Sequence, residues 1–364
     1  MSVAGFLSPL VVYAIVTALH VLLPAWKVDG YVTDLKTGQP LRYRLNGLLV
    51  YAFTVGLWAA VCSAGWLPWD FLWTTRWEGL AGACVLGLLF TAAVVLPAPP
   101  TGKPLLADLF LGRLENPQLE IRPWLGGRVD AKMWLYLVGA TQLGLNLYSF
   151  AMHHRLLYPD APSFGVTLYV TLFSFFLCEY LFFERVHLYT YDFVAERVGF
   201  KLGWGCLLFY PYFYGVGLWS VAELPSPERS TLWHVAAAVV FFAGWSLARG
   251  ANMQKFTFKR FPTTRFLGWI DPEVVTDGQR QLLVSGFWRV SRHVNYLGEI
   301  LMATGLTLAL GHPEVWTTWL YPAYYVALLF PRERDDDRRC AAKYGPLWKT
   351  YCERVPYRII PGIY

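Results

Sequence analysis

The densest chemistry in this chain lies in nine residues, Ser291-Arg292-His293-Val294-Asn295-Tyr296-Leu297-Gly298-Glu299. They lead into an apolar run, where polar side chains are costly unless they are paired or functional. On a helix, Arg292 and Tyr296 would share a face through i,i+4 spacing, with His293 one step round. Arg, His and Tyr alone would also suit an anchor at the level of lipid headgroups. Asn295 and Glu299 do not suit one, so a polar pocket is the expectation.

Three further clusters carry candidate chemistry. The run Arg332-Glu333-Arg334-Asp335-Asp336-Asp337-Arg338-Arg339 reads on its own as a solvated helix with internal pairs such as Arg332–Asp336. Asn252-Met253-Gln254-Lys255, with Lys259 one turn later, reads equally as a cationic membrane flank. Taken with the nine residues, these segments supply cations and donors suited to an anionic ligand, and Trp288 could stack on a flat ring. The fourth cluster is acidic: Glu179 ends one apolar run, and Glu184 and Asp192 flank Thr190. Carboxylates beside a membrane span are functional candidates by default, although Arg185 or snorkelling gives Glu184 a structural alternative. There is no G-x-G-x-x-G, Walker loop or Ser-His-Asp order, so a dinucleotide would not be held by a Rossmann turn.

The elements that must position these groups follow from composition. The 364 residues are 55% hydrophobic and 15% charged, against about 25% charged in soluble domains. That balance excludes a secreted soluble enzyme, a nucleic-acid-binding domain and a disordered scaffold, and it makes lipid the solvent. Expected spans are Val3–Leu23, Gly47–Leu67, Leu80–Leu96, Met133–Met152, Phe164–Phe183, Leu202–Ala222 and Leu232–Leu247. A hairpin of Leu297–Leu310 and Val315–Phe330 follows, and Leu282–Trp288 is apolar but short. The expected fold is therefore all-α and polytopic, with about nine to ten transmembrane helices in one membrane-embedded domain, 1–364. Residues 1–247 would form mainly a helix bundle and 248–364 mainly a ligand-binding part. The first apolar run lacks a basic flank and a following A-x-A site, so no cleaved signal peptide is expected.

Charge sets the orientation. Of 31 Lys and Arg, 26 fall in one alternating set of loops and three in the other, which puts the N-terminus outside and the C-terminus in the cytoplasm. The net charge of +6 is thus mostly topology. The six cysteines form no C-x-x-C pair and the seven histidines no ligand spacing, so no metal or disulfide framework is expected.

The C-terminal third resembles the sterol reductases that reduce sterol double bonds with NADPH. The resemblance rests on Leu282-Leu283-Val284-Ser285-Gly286-Phe287-Trp288 and on Arg292-His293-x-Asn295-Tyr296-x-Gly298. It rests also on Cys340-x-x-Lys343-Tyr344-Gly345-x-x-Trp348-x-x-Tyr351 and the ending Val355-Pro356-Tyr357-Arg358. Ala251-Asn252-x-Gln254-Lys255, Thr190-x-Asp192 and Tyr43-x-Leu45-Asn46-Gly47 extend it over nearly the whole chain from about Leu23. Within the family, Leu202-Gly203-Trp204-Gly205 and the terminus Pro361-Gly362-Ile363-Tyr364 look most like the Δ7-sterol (7-dehydrocholesterol) reductases.

The resemblance implies NADPH contacts at Lys255, Lys259, Arg332, Asp336 and Tyr351, with Leu283, Trp288, Arg292, His293, Asn295 and Tyr296 in the same matched pocket. Lys259 stands where the family usually has Arg, which keeps the charge but loses the planar fork. The family commonly has Tyr-x-x-Asp where this chain has Phe176-Leu177-Cys178-Glu179, and a Tyr near Leu218, where Trp219 follows. A proton relay of Glu179, Glu184 and Asp192 with Tyr214 is the expectation for the acid step. The resemblance further implies a sterol substrate drawn from the bilayer. The host membrane would be the endoplasmic reticulum in a eukaryote or the cytoplasmic membrane in a bacterium. Two rivals share parts of the pattern. One is an isoprenylcysteine-type methyltransferase using S-adenosylmethionine, a class usually much shorter and without the Lys255 motif. The other is a non-catalytic sterol-binding membrane protein.

Overall fold

A computed structural model describes residues 2–34, 37–120 and 128–364. The chain divides into two compact units, Met1–Ser226 and Pro227–Tyr364. In the first, α1 (Val3–Leu22) leads into a hairpin of β1 (Trp26–Thr33) and β2 (Pro40–Leu45), then α2 (Gly47–Ser63), α3 (Phe71–Thr74) and α4 (Arg76–Val95). The helix α5 (Leu105–Leu111) and the antiparallel pair β3 (Gln118–Glu120) and β4 (Arg128–Asp130) precede α6 (Ala131–Leu157) and α7 (Phe164–Phe182). Short pieces follow: α8 (Glu184–His187), α9 (Tyr191–Val194), α10 (Phe200–Trp204), a π-helical turn (Gly205–Phe209), α11 (Tyr210–Phe213) and α12 (Val216–Val221).

Side chains close the helix ends, as backbone groups shielded from water require. Ser2, Asp130 and Ser163 accept from the N–H groups of Gly5, Met133 and Val166 at 3.1, 3.0 and 3.2 Å. Arg44 of β2 donates to the carbonyls of His20, Val21 and Leu23 at 2.8, 2.9 and 2.6 Å, so the hairpin caps the C-terminus of α1.

The helix α6 is the centre of this unit, with most of its residues buried, including Thr141, Gln142, Asn146 and Ser149. Several of its polar groups tie it to its neighbours. Asn146 donates to the Pro211 carbonyl at 2.9 Å and accepts from Gln142 at 2.9 Å, while Ser149 accepts from Leu72 N at 3.1 Å.

The expected span Leu202–Ala222 is not one regular α-helix: a π-helical turn occupies Gly205–Phe209, and the helix stops after Phe213 before resuming at Val216. Carbonyls in and just after the π-helical turn accept from Tyr13 (to Leu207) and Asn146 (to Pro211). Such partners let a departure from regular α-helix persist in an apolar setting.

The second unit holds α13 (Thr231–Arg260), the antiparallel pair β5 (Val274–Thr276) and β6 (Gln281–Leu283), α14 (Phe287–Val290) and α15 (Val294–Ala309). A 3-10 turn (Trp316–Trp319), α16 (Leu320–Tyr344) and α17 (Pro346–Arg354) complete it. The long pair α13 and α15 meets backbone to backbone. A Cβ on Gly298 would lie 2.4 Å from Ala248 N, and one on Gly244 would lie 2.6 Å from Gly298 O. Small residues at such crossings are the usual device where lipid removes the hydrophobic drive for helix pairing.

Among the described residues, four helices are long and apolar enough to cross a bilayer: α1, α4, α7 and α13. The helix α2 is apolar but shorter. The short apolar stretch Leu282–Trp288 belongs to β6, a turn and the start of α14. The expected second arm of the terminal hairpin starts as a 3-10 turn, and its helix, α16, continues unbroken through the charge run to Tyr344.

Candidate functional site

In the second unit, the site is built on a clamp. Gly286 adopts φ +59, a conformation that favours glycine, and a Cβ there would lie 2.6 Å from Gln254 Nε2. The Gln254 amide donates to the Ser285 carbonyl and accepts from Phe287 N, both at 3.0 Å. Trp288 Nε1 donates to the Ala251 carbonyl at 2.9 Å, which pins the indole against α13. Lys255 Nζ then lies 5.8 Å from the Trp288 ring centre, within cation–π range.

The segment Ser291–His293 is not helical, so Arg292 and Tyr296 do not share a helix face as their spacing had suggested. Ser291 is extended (φ −160, ψ 162), and α15 begins only at Val294. The segment instead pairs with the C-terminal tail. Arg292 N and His293 N donate to the carbonyls of Tyr357 and Arg358 at 2.9 and 2.8 Å, and Ser291 Oγ donates to Ile359 O at 2.9 Å.

This arrangement brings most of the expected cofactor residues together. His293 Nε2 lies 3.9 Å from Asp336 Oδ2, too far for a hydrogen bond. Burial, then the nearby charges of Lys255, Arg292 and Arg358, lowers the His293 pKa to about 3, so the ring is neutral near pH 7. Burial also raises Asp336, opposed by Lys255 and Arg339. Tyr351 is buried against Trp348, with ring centres 5.0 Å apart, and burial raises its pKa while Arg292 lowers it. Among the described residues, the buried polar atoms without a hydrogen-bond partner include Arg292 Nε, His293 Nε2 and Asn295 Oδ1. Tyr296 is buried on α15, Leu283 is buried on β6, and Arg332 is half-buried one turn before Asp336 on α16. Lys259 is placed on α13 near Lys343.

The charge run is not uniformly solvated. Glu333 is fully buried, accepting from Arg358 Nη1 at 3.2 and 3.3 Å and from the Tyr364 hydroxyl at 3.2 Å. The pairing Arg332–Asp336 is not the one that sets the exposed face: Asp335 takes Arg339 at 2.8 Å and Arg338 at 3.6 Å. Gln254, Glu333 and Arg358 are residues whose roles the sequence reading missed. The missed signal for Glu333 was a four-residue stripe, Tyr321, Tyr325, Leu329 and Glu333, all buried.

In the first unit, the four acid candidates have different anchors. Glu179 is buried on α7. Glu184 Oε2 accepts from Gly47 N, the first residue of α2, at 3.0 Å, and burial raises the Glu184 pKa to about 7. Asp192 lies beside Lys132, a buried lysine whose Nζ donates to the Asp192 carbonyl at 2.7 Å and the Phe193 carbonyl at 3.3 Å. Tyr214 follows α11, its ring 4.6 Å from Tyr210 and its carbonyl 3.5 Å from the Tyr169 hydroxyl. The positions where tyrosine was expected are packing aromatics. Phe176 contacts Phe173 and Tyr180, and Trp219 contacts Trp77, Phe150 and Tyr212.

Comparison with known proteins bears on what this arrangement does. A model of the ergosterol biosynthesis ERG4/ERG24 family matches residues 4–364. A Delta(14)-sterol reductase of Mus musculus is 33% identical over 361 residues, covering 94% of this chain and 82% of the relative. One from Arabidopsis thaliana is 31% identical over 358 residues, covering 94% of this chain and 91% of the relative. One from Methylotuvimicrobium alcaliphilum is 30% identical over 360 residues, covering 95% and 80%.

Proposed function

This chain belongs to the ergosterol biosynthesis ERG4/ERG24 family, an enzyme family of sterol reductases, and from that premise we propose that it reduces a ring double bond of a membrane sterol with NADPH. The Δ14 bond is the first candidate, because the relatives described above are named for it. The Δ7 preference drawn from Leu202–Gly205 and the terminus gives way to it. Catalysis would proceed in a multi-pass membrane protein with its C-terminus in the cytoplasm, at the endoplasmic reticulum in a eukaryote or the cytoplasmic membrane in a bacterium.

One observation carries the cofactor reading. Arg292 Nε, His293 Nε2 and Asn295 Oδ1 are buried without partners in a cluster that also holds Lys255, Asp336 and Tyr351. Buried polar atoms left unpaired are costly, and a ligand rich in phosphate and amide groups would satisfy them. Lys255 and Arg332 supply the positive charge that phosphate needs. Trp288, fixed by its bond to Ala251, offers a flat apolar face beside Lys255. The bound nucleotide would supply hydride.

An isolated alkene resists hydride, so an acid must first protonate one of its carbons. That acid must hold a proton near neutral pH, which a carboxyl does only when burial raises its pKa. Glu184 meets the requirement, with Oε2 engaged by Gly47 N and Oε1 left to carry the proton. Glu179, Asp192 and Tyr214 complete the proposed relay. Purified protein given NADPH and Δ7, Δ14 or Δ24 sterols, with products resolved by mass spectrometry, tests the assignment. Reduction of neither the Δ7 nor the Δ14 ring bond would overturn it.

A further inference from the structure

A sterol is a rigid hydrocarbon with one hydroxyl, and that hydroxyl must find partners when it leaves the bilayer interface for an apolar helix bundle. The first unit contains a group of side chains with the complementary chemistry, on α2, α6 and α7. The hydroxyls of Tyr51 and Tyr148 are 2.6 Å apart, and Tyr148 Oη lies 3.1 Å from Ser174 Oγ. Ser174 Oγ donates its only proton to the Val170 carbonyl at 2.7 Å. The Ser174 oxygen therefore accepts from Tyr148, and the Tyr148 oxygen accepts from Tyr51. This order leaves Tyr148 Oη with an unused lone pair.

Beside it stands Trp58 of α2, its ring centre 6.2 Å from that of Tyr148. Trp69 packs edge-on against the indole at 5.2 Å and holds it in place. Trp58 Nε1 is buried and has no hydrogen-bond partner. The cluster thus presents one donor, Trp58 N–H, and one acceptor, Tyr148 Oη, in surroundings that are otherwise apolar and aromatic. A single hydroxyl is the group that matches both, accepting from the first and donating to the second.

We infer that Trp58 and Tyr148 bind the lone hydroxyl of the sterol, with Tyr51 and Ser174 as positioning residues that fix the Tyr148 proton. The inference rests on the reading of the substrate as a sterol, but not on the reduction itself. It predicts an order of ligands: hydroxyl first, then the 3-ketone, which can accept but not donate, then the 3-deoxy compound.

Equilibrium binding of radiolabelled 3β-hydroxy, 3-keto and 3-deoxy sterols to the full-length protein in nanodiscs, without nucleotide, tests it. The wild-type protein is expected to bind the hydroxyl compound about tenfold or more tightly than the deoxy compound. W58F and Y148F should each reduce that ratio to about twofold while leaving deoxy-sterol affinity unchanged. An equal affinity of the wild-type protein for both ligands overturns the inference, as does a full ratio retained in both variants. If either variant fails to fold, S174A, which removes the acceptor of the Tyr148 proton, supplies the same comparison. A protein that binds with this preference but reduces no sterol leaves the inference standing and defeats only the proposed function.

Discussion

His293 stacks on Tyr296 with ring centres 4.8 Å apart and planes 19° from parallel, immediately before and within the first turn of α15. The stack seals one side of the imidazole, and burial, helped by the surrounding cations, holds it neutral. The folded pKa of about 3 lies below the ordinary value of 6.5, so the unfolded chain binds the extra proton between those two values. Stability therefore falls as pH drops below 6.5, with a slope approaching about 1.4 kcal/mol per pH unit. Thermal melts of H293Q should lack this part of the acid sensitivity. Identical melts of the two proteins from pH 4.5 to 7 would show that His293 protonates in the folded state.

Arg332 and Arg338 lie on the same helix in different settings, the first half-buried and the second with a 77% exposed side chain. Arg332→Ala should weaken NADPH binding by about 1.5–3 kcal/mol. Arg338→Ala should change it by less than about 0.5 kcal/mol. Nucleotide titration followed by intrinsic fluorescence measures both. Equal affinities in the two variants would remove Arg332 from the cofactor site.

Glu184 acts as an acid only while protonated. With a pKa of about 7, its protonated fraction falls roughly tenfold for each pH unit above that value, and sterol turnover should fall with it. Glu184→Gln should lower turnover by about 10²-fold or more, flatten that limb of the profile and leave nucleotide affinity intact. A Gln variant with wild-type turnover would transfer the role to Glu179, and Glu179→Gln provides that comparison.

The Glu333 carboxylate depends on Arg358 and the Tyr364 hydroxyl for its burial. Arg358→Ala leaves it with the weaker partner and should cost about 2–3 kcal/mol of stability. Freed from Glu333, the tail that presents the backbone carbonyl of residue 358 to His293 N should loosen, and nucleotide affinity should fall as well. A chemical denaturation series with and without nucleotide separates the two effects.

Orientation is open to direct measurement. Single cysteines at Lys259 and Tyr364 should be labelled only from the cytoplasmic side, and those at Arg155 and Arg229 only from the other. Labelling of position 259 from outside would remove the nucleotide site from the cytoplasm.

The residues from Ser291 to Glu299 were legible because a run of polar groups leading into apolar sequence has few structural explanations. What was not legible there was the backbone. The extended Ser291–His293 segment is dictated by carbonyls of Tyr357, Arg358 and Ile359, more than sixty residues away. Glu333 was hidden for a different reason. Composition over Arg332–Arg339 averages to a solvated helix, and only the spacing back to Leu329 and Tyr325 singles it out. The π-helical turn within Leu202–Ala222 had a visible cause in Pro211, which lacks the N–H of a regular i to i−4 bond. The partners that make it tolerable, Tyr13 and Asn146, are contributed by other helices and follow from no local pattern. The Tyr51–Tyr148–Ser174 chain escaped notice because its three hydroxyls come from three different helices.

The crossing of α13 and α15 at Gly244 and Gly298 is also a fulcrum. Lys255 lies eleven residues beyond Gly244 on the same helix, an arm of roughly 16 Å at the α-helical rise. A methyl group at either glycine would pry the pair apart, and a tilt of about 5° would carry the base of Lys255 by about 1.4 Å over that arm. Displacements of this size are enough to degrade a site that works by orientation. An alanine at Gly244 would therefore register as poor nucleotide capture in a protein that still inserts and folds, although the substituted position lies about three helical turns from Lys255 along α13.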